Sequence, residues 1–321
     1  MTIRNSITAL KEEITAYRRE LHQNPQTSYE EEFASNLIAE KLTEWGVEFE
    51  RGWAKTGIIA KIEGETNTSG KAIGLRADID ALDITEESGQ AWASQTTGKM
   101  HACGHDGHTS ILLGAAKYLS ENRQFDGTVY LIFQPAEEGG AGAIKMIEEG
   151  LFKKFPMQSV YGLHNWPMMA KGEIGLNPGP IMASSDEIKI DVIGQGGHAA
   201  MPHLVKDPVI ASAHLVTALQ TIVSRNIDPV DPAVISITNI HAGSGANNVV
   251  PDVVNILGTA RAFRMETREM IALKIKEISE SIAKAFGVEI KVDYHFNYDP
   301  TINTAAESLV CAEIAKDMVG A

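Results

Sequence analysis

The chain has 321 residues, room for about two domains, and its 28 Lys and Arg against 42 Asp and Glu leave a net charge of -14. So acidic a chain lacks the basic footprint that phosphate backbones and anionic membranes select, which excludes nucleic acid and membrane as main partners. The 44% hydrophobic content fits a globular protein. The two distant cysteines, Cys103 and Cys311, give no disulfide framework and suit a reducing cytoplasm, and there is neither a signal-peptide core nor a membrane-length apolar run.

Ile7, Leu10, Ile14, Tyr17 and Leu21 recur at helical spacing and predict a first helix ended by Asn24-Pro25. Ser28 with Glu31 forms a capping box that predicts a second helix. Phe33, Leu37, Leu42 and Trp45 supply its apolar face, and Gly46 is its stop. Strands are expected at 57–62 and 72–77 and a helix at 108–120. Residues 127–133 form an almost continuous apolar run, the mark of a strand buried on both faces. A short helix at 141–149 and a strand near Val160 complete an alternating order that predicts an α/β domain with a mostly parallel sheet.

The pattern changes after Pro178-Gly179-Pro180. A strand at 187–193, a helix at 207–224, strands at 233–240 and 253–263, a helix at 267–286 and a strand at 288–295 follow the β-α-β-β-α-β order of a ferredoxin-like α+β sandwich. The expected organisation is therefore a first segment, 1–180, an inserted domain, 181–296, and a return to the first domain, 297–321.

The densest chemical signal is His101-Ala-Cys103-Gly-His105-Asp106-Gly-His108. Three imidazoles, a thiol and a carboxylate, with glycines for tight turns, make a metal site the favoured reading over a surface loop. The run Gln134-Pro135-Ala136-Glu137-Glu138-Gly139 follows the buried strand, where α/β proteins build their sites. Its paired carboxylates read either as a solvated turn or as a divided task, one binding metal and one moving protons. His164, in Gly162-Leu163-His164-Asn165-Trp166, closes a further short strand and reads as an edge histidine or a third donor. Asp78 and Asp80, in Arg76-Ala77-Asp78-Ile79-Asp80, read as turn caps or as carboxylates holding a ligand histidine in its tautomer. Cys, His, Asp and Glu thus arrive at one rim from successive strand ends. Met168, Met169, Met182 and Met201 read as the lining of an adaptable pocket or, the favoured reading, as ordinary packing.

Met100 to His108, Arg76 to Leu82 and Gln134 to Gly139 together resemble one branch of the dinuclear aminoacylase/carboxypeptidase metallopeptidases. That branch holds hippurate hydrolase, bacterial N-acyl-amino-acid amidohydrolases and the plant auxin-conjugate hydrolases. The resemblance covers essentially the whole chain, including Gly196 to Pro202 and Asn248 to Asp252. It implies a zinc-peptidase-like catalytic domain with an inserted lid and dimerisation domain. It also implies two divalent metal ions (zinc, or manganese, cobalt or nickel) held by Cys103, His105, Glu138 and His164. Glu137 resembles the general base, and Asp78 a carboxylate beside the base or a ligand. His198 resembles the histidine that stabilises the oxyanion, often in the partner subunit's site. Asn248 and Arg261, or Arg264, resemble the residues that hold the substrate.

The implied activity is cytoplasmic hydrolysis of the amide bond of N-acyl amino acids, with benzoyl, acetyl and indole-acetyl groups all compatible, by a homodimer through 181–296. Two departures stand out. Asp83 replaces a proline, and the family pattern continues past residue 321 with a last histidine ligand. On that count the second metal site is expected to be incomplete, and the alternative to an active enzyme is a truncated, catalytically weak metal- and substrate-binding remnant. A purely structural zinc protein, which would unfold on chelation, is the third reading.

Overall fold

The computed structural model describes residues 3–320. Contacts divide the chain into two compact units, Met1–Glu173 and Ile174–Ala321.

The first unit contains α1 (Ile3–Ala9), α2 (Lys11–Gln23), α3 (Glu32–Glu44), β1 (Glu48–Trp53), β2 (Gly57–Glu63), β3 (Ala72–Asp78), α4 (His105–Glu121), β4 (Thr128–Gln134), α5 (Gly142–Glu148), α6 (Leu151–Lys154) and β5 (Ser159–Gly162). The strands form one sheet in the order β1-β2-β4-β3-β5. β3 runs parallel to both β4 and β5, and β2 is antiparallel to β1 and β4, so β2 alone opposes the common direction. The sheet is mostly parallel, as expected.

β4 is buried along its whole length because its two faces meet different layers. Val129, Leu131 and Phe133 pack with Leu21 of α2, Ile38 and Leu42 of α3 and Leu113 of α4. Tyr130 and Ile132 pack on the other face with Met146 of α5 and Leu151 of α6. Each such buried side chain contributes roughly 1.5–3 kcal/mol, and together they fix the carboxyl ends of β3, β4 and β5 at one rim.

Three local expectations are corrected. The first predicted helix is two, α1 and α2, hinged where Leu10 N–H bonds Ile7 O. Helix α4 begins at His105, three residues before the expected start. The capping box does not form. α3 starts at Glu32 with no side-chain cap, because Ser28 donates to Glu138 O and Glu31 accepts from Tyr29 N, Ala136 N and Thr56 Oγ1. Both side chains are taken by tertiary partners.

The second unit contains β6 (Gly179–Met182), β7 (Ser185–Ile193), β8 (Gly197–His198), α7 (Pro208–Asn226), β9 (Ala233–Ala242), β10 (Val249–Val250), β11 (Val253–Ala262), α8 (Met265–Phe286), β12 (Glu289–Tyr298), β13 (Thr301–Asn303) and α9 (Ala305–Val319). Its main sheet has the order β12-β7-β11-β9, antiparallel at every pairing. That is the ferredoxin-like arrangement the element order predicts. β7 alternates buried and open positions. Ile188, Ile190 and Val192 face Leu215 and Leu219 of α7 and Ile271 and Ile275 of α8, so one face is covered by helices and the other is wet. Asp207 caps α7 by accepting from Val209 N and Ile210 N, with Pro208 in the first turn, a favourable pairing of cap and first-turn proline at the helix start.

The division at 173/174 differs from the expected boundaries at 180 and 296. Residues 297–320 lie with the second unit, where β13 pairs with β6. That ribbon brackets the ferredoxin-like domain, bringing its point of departure and its point of return together. Among the described residues, no helix is long and apolar enough to cross a membrane.

Candidate metal centre

The rim of the first unit gathers its side chains from four elements. β3 ends at Asp78 and leads to Asp80. β4 leads to Glu137 and Glu138, β5 to His164, and α4 opens with His105 two residues after Cys103. Gly104, between Cys103 and His105, has φ +90, and a Cβ there would stand 2.1 Å from Asn165 Oδ1. Only glycine allows this turn so close to the His164 segment.

His105 is at the centre. Its Nδ1 meets Asp80 Oδ1 at 3.2 Å, which directs Nε2 towards the acids, in the way a carboxylate orients a ligand imidazole. Nε2 lies 3.6 Å from Asp78 Oδ2, 3.9 Å from Glu138 Oε1 and 4.0 Å from Glu137 Oε2. Cys103 Sγ is 3.4 Å from His164 Nε2. Among the described residues, three groups of donors are close enough to hold an ion: Cys103, His105 and His164; Asp78, His105 and His108; and His105, Glu137 and Glu138. His105 belongs to all three.

Two buried atoms argue that the cluster is built for cations. His105 Nε2 and Asp78 Oδ2 have no hydrogen-bond partner, and an unsatisfied buried polar atom is costly. Arg76 Nη1 lies 2.8 Å from that Asp78 oxygen as a charge neighbour, without hydrogen-bond geometry. A mixture of thiolate, imidazole and carboxylate is a chemically sound donor set for divalent transition metals.

The electrostatics agree. Burial works against a charged ring at His105. The hydrogen bond to Asp80, the neighbouring Cys103 thiol and the charges of Asp78 and Asp80 overcome it, pushing the ring up to about 11. Asp78 is held well below the usual carboxylate range, burial being outweighed by its bond to His108 and by Arg76 and His105. Glu137 moves the other way, raised by burial and by neighbouring Glu138, with His105 opposing. Asp78 and Glu137, two carboxylates of one rim, are thus pushed in opposite directions by their surroundings.

The first unit brings Asp78, Cys103, His105, Glu137, Glu138 and His164 to one rim. It also recruits His108, to which sequence reasoning gave no specific role, and Asp80, one of the two carboxylates read from sequence as turn caps or as holding a ligand histidine. His108 is buried and bridges Asp78 Oδ1 at 2.7 Å to Asn165, whose backbone N–H donates to Nε2 at 2.9 Å. Asp80 Oδ2 accepts from Glu138 N at 2.8 Å. His108 stood in the quoted motif, and its spacing of three from His105 on one helix was the available signal.

In the second unit, His198 and Asn248 are neighbours across the β8–β10 ribbon, where Ala199 N bonds Asn248 O at 3.0 Å. His198 is exposed, and its Nδ1 accepts from Ala200 N. Arg261 is not with them. It lies eight residues beyond Val253 along β11, about 27 Å at strand rise, with Nη1 bonded to Thr259 Oγ1 and Ala260 O. The residues expected to touch substrate are therefore divided between the β8–β10 ribbon and the far end of β11.

The comparisons with known proteins fit this geometry. Residues 74–321 match the peptidase family M20/M25/M40. The chain is 42% identical to a hippurate hydrolase of Campylobacter jejuni, over 100% of this chain and 82% of that protein. It is 44% identical to an N-acetyl-L-cysteine deacetylase of Bacillus subtilis, over 94% of this chain and 71% of that protein. A dinuclear metal binding peptidase of the M20 family from Bacillus subtilis, known as a crystal structure, superposes with a TM-score of 0.81 at 34% identity, over 97% of this chain and 81% of its own. With the donor cluster on strand ends and an antiparallel domain inserted within a β-ribbon, the chain belongs to peptidase family M20/M25/M40.

Proposed function

We propose that the chain is a metal-dependent amidohydrolase that splits N-acyl amino acids into a carboxylic acid and an amino acid. The observation that carries this is His105 Nε2, buried without a hydrogen-bond partner and ringed by Asp78, Glu137 and Glu138. Similarity to a hippurate hydrolase and an N-acetyl-L-cysteine deacetylase supports the substrate class.

Cys103, His105, Glu138 and His164 hold two divalent ions. Thiolate and imidazole suit zinc, and manganese, cobalt or nickel are chemically compatible. When bound, such ions supply the Lewis acidity that an amide, a poor electrophile, requires. Glu137 takes the proton of the attacking water and returns it to the leaving amine, its raised pKa suiting both tasks. Asp80 fixes the His105 ring, and Asp78 with Arg76 sets the charge beside it.

His198 and Asn248 steady the oxyanion and substrate, and Arg261 offers a planar fork for the α-carboxylate. An N-acyl amino acid is far shorter than the separation of these groups along one chain. A homodimer through 181–296, in which one chain lends an end of its sheet to its partner's cleft, accounts for that separation. The acidic charge and two free cysteines support a cytoplasmic setting.

The test is Glu137→Gln. Turnover of N-benzoyl, N-acetyl and indole-acetyl amino acids should fall by about 10²–10⁴-fold, with metal content unchanged by mass spectrometry. Retained turnover would remove Glu137 from the role of base. Co-assembly of that variant with His198→Ala should recover activity where the chains share sites; no recovery would count against the dimer.

A further inference from the structure

Glu31 has no place in the chemistry described so far, yet it is a carboxylate with 0% exposure. Its Oε1 accepts from Tyr29 N at 2.9 Å and from Ala136 N at 2.8 Å, and its Oε2 accepts from Thr56 Oγ1 at 2.6 Å. Two distant segments and its own turn therefore converge on one buried carboxylate. Burying a carboxylate is expensive and is tolerated only when its oxygens are well bonded. A fold that needed only to fill this volume would be better served by an apolar side chain.

What the anion holds is unusual backbone. Ala136 has φ +52 and is fully buried. A left-handed conformation is costly for any residue with a Cβ and persists where its surroundings enforce it. The next two residues are Glu137 and Glu138. The same N-terminal stretch grips the far side of the turn. Ser28 Oγ donates to Glu138 O at 2.9 Å, and the Tyr29 hydroxyl donates to Gly140 O. Charge-assisted bonds to backbone N–H groups are short and strong, so Glu31 is the firmest of these ties.

We propose that Glu31 is a positioning residue for the general base: its buried carboxylate locks Ala136 in the left-handed turn that presents Glu137 to the substrate. This rests on the reading of Glu137 as the base. Glu31 itself touches no substrate and acts only through the turn.

The experiment measures kcat, KM and metal content on the full chain for wild type, Glu31→Gln, Ala136→Gly, the double variant, Thr56→Val and Glu137→Gln. A displacement of about 1 Å at a reacting group can cost about 100-fold. Glu31→Gln should accordingly lower kcat by about 10- to 100-fold, with KM within about threefold and metal content unchanged. Glycine adopts the left-handed turn unaided. In the Ala136→Gly background the same substitution should therefore cost no more than about a third of that loss, a coupling a general loss of structure would not show. Thr56→Val removes a single partner of the carboxylate and keeps the experiment informative if Glu31→Gln does not fold; it should lower kcat a few-fold at constant KM.

Wild-type kcat in Glu31→Gln, or in Thr56→Val where that variant stands in for it, overturns the proposal. So does a loss that follows metal content and is not relieved by Ala136→Gly. An inactive Glu137→Gln beside a fully active Glu31→Gln sinks this inference alone, whereas an active Glu137→Gln sinks both it and the reading of the base.

Discussion

Each unit buries a cluster of charges, and the two clusters are finished differently. In the second unit, Arg268 is 2% exposed and forks onto Asp186, with Nη2 to Oδ1 at 2.6 Å and Nε to Oδ1 at 2.9 Å. Its Nη1 reaches Asp299, and the Tyr294 hydroxyl donates to Asp186 Oδ2 at 2.7 Å. That network closes on itself. In the first unit, Asp78 Oδ2, His101 Nδ1, His105 Nε2 and Asp106 Oδ1 are all buried and all lack a hydrogen-bond partner. A closed network fixes shape, whereas an open one keeps binding capacity at the expense of stability. The contrast is consistent with the first unit's cluster as the candidate metal centre.

Three measurements would break or sharpen that contrast. The largest effect is expected from His105→Ala. Because His105 belongs to every candidate group, the variant should retain no metal above background after dialysis; two equivalents of bound metal would show that the open cluster is not the site. Next, Arg268→Ala should destabilise the protein by about 3–5 kcal/mol, since it strands a buried carboxylate. A urea midpoint would read this, with metal content unchanged; lost metal at constant stability would reverse the roles assigned to the two clusters.

The smallest effect is a pH dependence in the open region, read on the chelated protein. Burial holds His101 down at about 4, against the pull of Asp106. The unfolded ring, with its ordinary value of 6.5, takes up a proton first, so stability is lost as pH falls from about 6.5 to about 4. His22, its ring 6.4 Å away, is shifted up by its bond to Asp106 and by Glu86, with burial opposing. Its contribution is full below 6.5 and fades as pH rises through the raised pKa. Melting temperatures should show His101→Gln flattening the acid arm, by on the order of 2–3 kcal/mol, and His22→Gln flattening the alkaline arm. Unchanged arms would show that neither ring titrates as its surroundings dictate.

Much of this architecture was legible because its signals are local. The apolar run of β4, the helix begun at Asp207 and the β-α-β-β-α-β order each depend on nearby residues. What escaped reading depends on distant partners. β1, with the sequence Glu-Phe-Glu-Arg-Gly-Trp, is largely open along its length, and as the edge strand of the sheet it shows no apolar alternation. Glu31 matched a helix cap in spacing, and only the fold reveals that Thr56 and Ala136 claim it instead. The donors of the metal centre were legible because they cluster at strand ends. The separation of Arg261 from His198 was not, since it depends on His198 lying in the β8–β10 ribbon and Arg261 near the far end of β11.

The ribbon of β6 and β13 has a consequence for how such a molecule can change. Met182 sits opposite Thr301, the spacing at which a tight turn ordinarily joins two antiparallel strands. The pair is in effect a hairpin whose loop has grown into a domain. Closing a longer loop costs only about 0.6 kcal/mol per doubling of its length, so the domain that hangs from this hairpin can be enlarged at little entropic cost while its two strands keep their register.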